Sequence, residues 1–350
     1  MTRNRPSPGL TTGRSFAVVS ALALLALGPA PARAFDASRE DVASFVNDMT
    51  ARNSFDATAL AALFAQAQSR KAILDAMAMP AEKTLTWQEY RARFITERRI
   101  NRGVAVYRDQ IDALENAAAH GVPASIILGI VGVETFYGEL TGKYRVIDAL
   151  STLAFDYPPR SAFFRGELEQ FLLMAREESL DPLAPLGSYA GAMGIPQFMP
   201  TSFRSFAVDG DGDGRRDLWA AWPDVFASVA NYLAVHGWKP GEPISVAADI
   251  SGADVAGLAT GTLALSETVG SLRRRGIRFE TGLPPESPAM LIALGGAFGG
   301  EYRVGFANFY VITRYNHSAL YASAVNDLAE AITIARAREL PPDDVTTFAN

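Results

Sequence analysis

The stretch Ser125–Glu139, SIILGIVGVETFYGE, constrains this chain most. Eight apolar or small residues, Ile126 to Val133, end abruptly on one carboxylate, Glu134. The run is too short to span a bilayer, so it belongs to the interior of a folded domain. Pro123 suits the start of a helix, and a helix over 123–134 is predicted. An acid at the inner end of such a helix sits where water is scarce. Desolvation disfavours its charged form, which prepares a Glu to donate a proton near neutral pH. The alternative is a Glu just past the core, facing solvent.

The surrounding composition narrows the chemistry. The 350 residues include no cysteine, which excludes a disulfide framework, a thiol nucleophile and any zinc site using Cys. Residues 1–34 read as an export signal. Arg3, Arg5 and Arg14 precede the apolar run Phe16–Leu27, and Ala32-Arg33-Ala34 forms an A-x-A cleavage site. No later stretch is long and apolar enough to anchor the chain, so a soluble periplasmic protein starting near Phe35 is expected. The formal charge is −6, and all four charges of the leader are arginines, so the mature chain is more acidic still. Such a protein suits neither nucleic acid nor anionic lipid, but it suits a glycan.

Apolar spacing predicts two amphipathic helices within 35–80, with Asp56 capping the second. A long helix is expected over Arg98–Ala119, and others over Ile147–Phe155, Ser161–Glu178 and 225–236. From Lys239 the texture shifts to Pro, Gly and β-branched residues. Short strands are expected at Ile244–Ala247, Arg278–Glu280, Ala289–Leu294 and Tyr302–Val304, with one helix at Leu265–Arg274. The fold class expected is α+β, mainly α. A helical catalytic domain would span 35–240, with a small α+β subdomain at 241–305. Residues 306–340 would form a return segment and final helix, and 341–350 a tail.

Two further stretches carry chemistry. Residues 187–200, GSYAGAMGIPQFMP, hold too many glycines and prolines for a long helix. Such a loop lets backbone approach a ligand, and it displays Ser188, Gln197 and Phe198. In VDGDGDGRRDLW, Asp209, Asp211 and Asp213 alternate with glycine ahead of Gly214. This is the opening of a calcium loop: a hard cation wants several oxygens, and alternate positions point inward. Arg215 would add its carbonyl. Ala220 stands where a bidentate Glu is expected, and Asp224 is the nearest acid that can close the cage. A solvated acidic turn is the alternative.

His120, His236 and His317 each fall near a helix end, without metal-ligand spacing. The chemistry left is that of carboxylates. Glycoside cleavage normally uses two acids. Glu139, Asp148 and Asp156 are candidates for a second beside Glu134. A one-acid mechanism, with the sugar supplying its own nucleophile, is the other option.

GIVGVETFYG, TLAFDYP, GELEQFLLMAREE, GSYAGAMGIPQFMPTSF, DGDGDGRRDLW, SVANYLAVHGW and NFYVITRYN together resemble the B-type lytic murein transglycosylases. The resemblance runs from about Tyr90 to the last helix. It implies a lysozyme-like helical core with a small inserted β-containing domain, acting on peptidoglycan glycan strands. The bond cleaved would be the β-1,4 link between N-acetylmuramic acid and N-acetylglucosamine, leaving a 1,6-anhydromuramoyl end. It implies Glu134 as acid and then base, and Ser188, Gln197, Tyr90, Tyr232, Tyr315 and Asn316 as glycan contacts. Arg160 is the remaining one of two arginines that would meet muramoyl peptides, because Y-P-R-R reads Tyr157-Pro158-Pro159-Arg160 here. Phe163 replaces a frequent Tyr, Asp211 a neutral ligand, and Asp224 comes one residue late. A structural Ca2+, a monomeric state and contact with cell-wall synthesis proteins complete the expectation. Its rivals are a lysozyme-like muramidase, a non-catalytic peptidoglycan-binding scaffold and a calcium-sensing module.

Overall fold

The structure is a computed structural model. It describes residues 33–78, 85–255, 257–258, 263–295 and 300–339. The expected tail, and all of the expected leader before Arg33, lie outside these residues.

Helices α1 (Glu40–Asn53), α2 (Ala57–Phe64) and α3 (Lys71–Ala78) form an N-terminal layer. Val42, Phe45, Val46 and Met49 make the buried face of α1. The Asp56 side chain accepts the Ala59 amide at 2.7 Å and caps α2 as expected. Helix α3 was not anticipated: it buries only Ile73, so its periodic signal is thin. Residues Arg33–Ala34 (β1), placed in the leader above, pair antiparallel with Gln68–Ser69 (β2).

The core follows. It comprises α4 (Trp87–Phe94), α5 (Glu97–Asp109), α6 (Ile111–Ala118), α7 (Ala124–Thr135), β3 (Tyr144–Arg145), α8 (Val146–Asp156), α9 (Ser161–Glu177), β4 (Leu186–Gly187), α10 (Pro200–Phe206) and α11 (Trp222–Val235). The single helix expected over 98–119 is two, α5 and α6. The chain leaves helical geometry at Gln110 (φ −129°, ψ 29°), and Leu114 and Ala117 of α6 are buried. Helix α10 was also missed. Pro200 starts it, and the Glu167 carboxylate of α9 caps its Thr201 amide at 3.0 Å.

The small subdomain contains β5 (Ser245–Ala247), β6 (Glu267–Thr268), α12 (Val269–Arg274), β7 (Pro288–Leu294) and β8 (Glu301–Gly305). Its antiparallel sheet runs β5-β8-β7-β6. The strand expected at 278–280 reduces to one bridge, Asp249 to Arg278. Alternation along β7 sends Ala289 and Leu291 into the subdomain's own core, with Phe279, Val304 and Phe306. Met290, Ile292 and Leu294 face the large helical core instead. One strand thus seals two cores. The segment leading out, expected without assigned structure, is helix α13 (Ala307–Tyr315), and α14 (Ala319–Glu339) closes the fold.

Helix α7 is apolar on all sides because it is enclosed on all sides. Its close neighbour is α14, and the glycines explain the approach. A Cβ on Gly129 would sit 2.8 Å from the Val325 carbonyl, and one on Gly132 2.8 Å from Leu328. Pro123 is the N-cap of α7. The helix ends in three successive left-handed residues, Phe136, Tyr137 and Gly138 (φ 52°, 57° and 87°). Two of them are not glycine, a strain held by packing. A partly buried ionic network braces the same region. Asp327 of α14 accepts Arg91 of α4 at 2.7 Å and Arg303 of β8 at 2.5 Å, and Trp87 donates to Glu301 at 2.9 Å.

Candidate active site

Glu134 lies in the last turn of α7 and is half-buried, less enclosed than the apolar run alone suggested. The Tyr321 hydroxyl, in the first turn of α14, donates to its Oε1 at 2.6 Å. Tyr321 was not singled out from sequence. Burial, with the Glu134 carboxylate beside it, raises the Tyr321 phenol well above 10. It therefore remains a donor at any physiological pH.

A chain of rings extends from Tyr321. Tyr315 stacks on it at 6.5 Å, Tyr232 meets Tyr315 at 4.8 Å, and Phe198 lies 5.7 Å from Tyr232 and 5.8 Å from Tyr315. Their hydroxyls are tied to backbone: Tyr315 donates to the Pro196 carbonyl and Tyr232 to that of Arg314, each at 2.6 Å. Burial pushes the Tyr232 phenol up to about 12. Phe198 is only 2% exposed, so the expectation that the loop displays it is corrected. Its ring supports the tyrosines from behind, because an aromatic amid small residues fills the space they leave. Tyr90 is buried on α4, against Phe94 and near Tyr321. Asn316 is half-buried at the end of α13.

Ser188 and Gln197 come together in one cleft with Tyr144 and Tyr189. Gln197 holds φ 54°, unusual for a non-glycine. Its amide nitrogen donates to the carbonyls of Thr141 (3.0 Å) and Gly194 (2.8 Å). The amide oxygen is left to accept, as an acetamido N–H requires. The Ser188 hydroxyl accepts the Ala192 amide at 3.1 Å, which curls the loop. Thr135, next to Glu134 and also missed, donates to the Ile195 carbonyl at 2.8 Å. That bond fixes the Gln197 loop to the end of α7.

Arg160 is exposed and lies over Phe163 and Phe164, 4.3 and 5.2 Å from their ring centres. No hydrogen bond or ring contact joins it to Glu134, Ser188 or Gln197 among the described residues. The candidate second carboxylates are engaged elsewhere. Glu139 pairs with Arg98 (2.9 Å) and Arg102 (3.5 Å). Asp148 is buried, held by Arg70 (3.1 Å), Arg145 (2.7 Å) and the Gln68 amide (2.9 Å). Asp156 pairs with Arg39 at 2.7 Å and accepts Ser69 at 2.6 Å. The latter two fasten the N-terminal layer to α8. His120 and His236 meet carbonyls at helix ends, and His236 stacks on Tyr232.

Between α10 and α11 the acidic loop is folded on itself. Asp209 accepts the amides of Gly212 (2.7 Å), Asp213 (3.2 Å) and Gly214 (2.8 Å), which hold its carboxyl below the usual range. Carboxylate oxygens of Asp209, Asp211 and Asp213 lie within 4.8 Å of one another. Three converging hard oxygens with the Arg215 carbonyl two residues on fit a divalent cation such as calcium. Asp224 is not in that cluster. It is 1% exposed at the start of α11 and accepts the amides of Gly210 (2.7 Å) and Asp217 (2.6 Å). Burial raises its carboxyl.

A lysozyme-like helical core that sets a half-buried carboxylate against a chain of tyrosines points to the class of glycan-cleaving enzymes. Comparison with known proteins narrows this. Residues 37–330 match the Transglycosylase SLT domain family. The chain is 40% identical over 310 residues to Membrane-bound lytic murein transglycosylase B of Escherichia coli K12, covering 86% of this chain and 84% of that protein. Soluble lytic transglycosylase SltB1 of Pseudomonas aeruginosa superposes with a TM-score of 0.80 at 49% identity, covering 84% of this chain and 99% of that one. The E. coli lytic transglycosylase SLT35, solved in complex with calcium, gives 0.78 at 40%, covering 86% and 95%. SltB3 of P. aeruginosa, solved with NAG-NAM-pentapeptide, gives 0.72 at 30%, covering 83% and 78%. The chain belongs to the SLT transglycosylase family and is a lytic transglycosylase acting on peptidoglycan. Among the described residues no helix is long and apolar enough to cross a membrane.

Proposed function

We propose that Glu134 cleaves the β-1,4 bond between N-acetylmuramic acid and N-acetylglucosamine, acting alone. Its protonated carboxyl gives a proton to the glycosidic oxygen as the C1–O bond breaks. The resulting carboxylate then takes the proton of the muramoyl C6 hydroxyl as that oxygen bonds to C1. The product is a 1,6-anhydro ring, and no water is consumed. Tyr321 fixes the acid's orientation. The Gln197 amide oxygen and the Ser188 hydroxyl seat acetamido groups, and Tyr90, Tyr232, Tyr315 and Asn316 shape the surrounding cleft. The single observation carrying this reading is the Glu134–Tyr321 pair, with the three other candidate carboxylates, Glu139, Asp148 and Asp156, each already paired with arginine. The relative solved with NAG-NAM-pentapeptide supports peptide-bearing strands as substrate. Digestion of purified peptidoglycan, followed by mass spectrometry, is expected to yield anhydromuramoyl ends. Reducing ends would make the enzyme a muramidase instead.

Asp209, Asp211 and Asp213 and the Arg215 carbonyl would hold one calcium ion, which neutralises three clustered carboxylates and stiffens the α10–α11 link. Asp224 braces that loop from below. Saturating calcium at a hundred times its Kd contributes about 2.7 kcal/mol. Chelation is therefore expected to lower Tm by roughly 5 °C for a chain of this size. An Asp209→Asn/Asp213→Asn variant should lose that response; a Tm indifferent to chelator in the unaltered protein would remove the ion. Export to the periplasm and action as a monomer complete the reading, supported by the acidic charge and by the polymer acted on.

A further inference from the structure

Thr135 follows the acid directly and is fully buried, yet the proton transfers give it no task. Its hydroxyl joins segments 60 residues apart in the chain. The one hydroxyl hydrogen goes to the Ile195 carbonyl at 2.8 Å, and the oxygen accepts the Gly138 amide at 3.0 Å. A longer approach to the Val131 carbonyl, 3.3 Å, marks a rotamer common for threonine in helices. Ile195 and Pro196 present consecutive carbonyls to two different helices. Thr135 of α7 takes the first, and Tyr315 of α13 takes the second at 2.6 Å. Gln197 follows at once, at φ 54°, with its side-chain amide on the Thr141 and Gly194 carbonyls. Packing is close on the same side: a Cβ on Gly138 would lie 3.2 Å from the Ile195 side chain. The backbone bearing the acid and the backbone bearing Gln197 are thus one unit, and Thr135 is the side chain that joins them.

We propose that Thr135 is a positioning residue that decides the fate of the cleaved chain end, favouring the 1,6-anhydro ring over a reducing end. The inference rests on the proposed roles of Glu134 and Gln197. Once the C1–O bond has broken, two nucleophiles compete for C1. The muramoyl C6 hydroxyl forms a C1–O6 bond and gives its proton to the Glu134 carboxylate. Water forms a C1–OH bond and gives one proton to the same carboxylate, which leaves a reducing end. The base does the same work in both cases, so the carboxylate alone does not choose. Geometry chooses. A well-oriented internal nucleophile reaches an effective molarity of about 10⁵–10⁸ M, provided the reacting atoms sit in near-attack range. The ring is oriented where its acetamido group meets the Gln197 amide oxygen, and the base is placed by the end of α7. Thr135 fixes the distance between those two points. Without its hydroxyl the Gln197 loop can shift against α7, the C6 oxygen loses its alignment, and water gains. Thr135 itself touches no reacting atom in this account.

The test uses the whole enzyme on purified peptidoglycan, at a temperature where far-UV dichroism shows each variant folded. The readouts are kcat, KM and the ratio of anhydro to reducing ends by mass spectrometry. Thr135→Val keeps the shape and removes both hydroxyl bonds. It should lower kcat about a hundredfold and change KM far less, the effect of displacing reacting groups by about 1 Å. The anhydro-to-reducing ratio should fall at least about tenfold, because water needs no such alignment. Thr135→Ser keeps the hydroxyl and should keep the ratio even where its Tm falls. A residue that only fills the core would move Tm in both variants and the ratio in neither. If Thr135→Val does not fold, Thr135→Cys replaces the hydroxyl with a weak donor, and the same fall in the ratio is expected. An unchanged ratio in folded Thr135→Val or Thr135→Cys enzyme overturns the inference and leaves the proposed function standing; failure of both to fold does the same. Reducing ends alone from the unaltered enzyme overturn the proposed function, and the role of Thr135 with it.

Discussion

Glu134→Gln is expected to lower the release of anhydro products by at least about a thousandfold, while far-UV dichroism and Tm stay unchanged. The amide matches the carboxyl in size and keeps an oxygen to accept the Tyr321 hydroxyl, so the fold loses nothing. What it loses is the transferable proton. In the mechanism proposed, one group both protonates the leaving oxygen and receives the C6 hydroxyl proton, so both transfers fail together. Each positioned proton transfer contributes about a hundred- to ten-thousandfold, so a thousandfold is a lower bound for losing two. No neighbour can substitute. Glu139, Asp148 and Asp156 are each already paired with one or more arginines. Residual turnover within tenfold of the unaltered enzyme would remove Glu134 from the mechanism.

The helix bearing that acid was legible in sequence because its signal is local. An unbroken apolar run has one physical solution, enclosure, and the bounds 123–134 came within a residue of Ala124–Thr135. Asp56 was legible as a cap for the same reason. What escaped is relational. Tyr321 is one aromatic among several near the start of an amphipathic helix, 187 residues from the acid it touches. Nothing nearby marks its hydroxyl as pointing at Glu134. Phe198 erred in the opposite direction. A ring in a Gly-rich loop looks available, yet a loop of small residues must borrow bulk to fill its own interior, and Phe198 is that bulk. Gln110 shows a third limit. It is a good helix former, and only the separate packing of α5 and α6 makes the chain turn there. The acidic loop was legible in its first three aspartates, where spacing alone sets direction. Asp224 lies beyond the repeat, and its oxygens went to backbone amides.

Gly142→Ala is expected to cost about 4 kcal/mol and to lower Tm by roughly 10 °C. Two costs add. Gly142 holds φ +103°, where an L residue is strained. A Cβ there would also lie 2.0 Å from the Gly187 carbonyl oxygen and 2.6 Å from the Ser188 amide nitrogen. Both are backbone atoms, so no change of rotamer relieves the clash. The strands on either side cannot yield freely, because Tyr144 and Arg145 pair with Gly187 and Leu186. Gly187 is itself pinned, since a Cβ on it would meet the Ala192 carbonyl at 2.2 Å. The strain must therefore pass into the loop that carries Ser188, and into Gln197 through its bond to the Thr141 carbonyl. Activity should fall by more than the unfolded fraction explains, even at temperatures where the variant is fully folded. Gly166→Ala is the contrast. Gly166 lies within α9, has open space where a Cβ would go, and should gain up to about 1 kcal/mol from reduced unfolded-state freedom. If calorimetry showed the two variants equally stable, the contact between the 140–144 and 186–189 segments would not be what aligns Ser188 and Gln197.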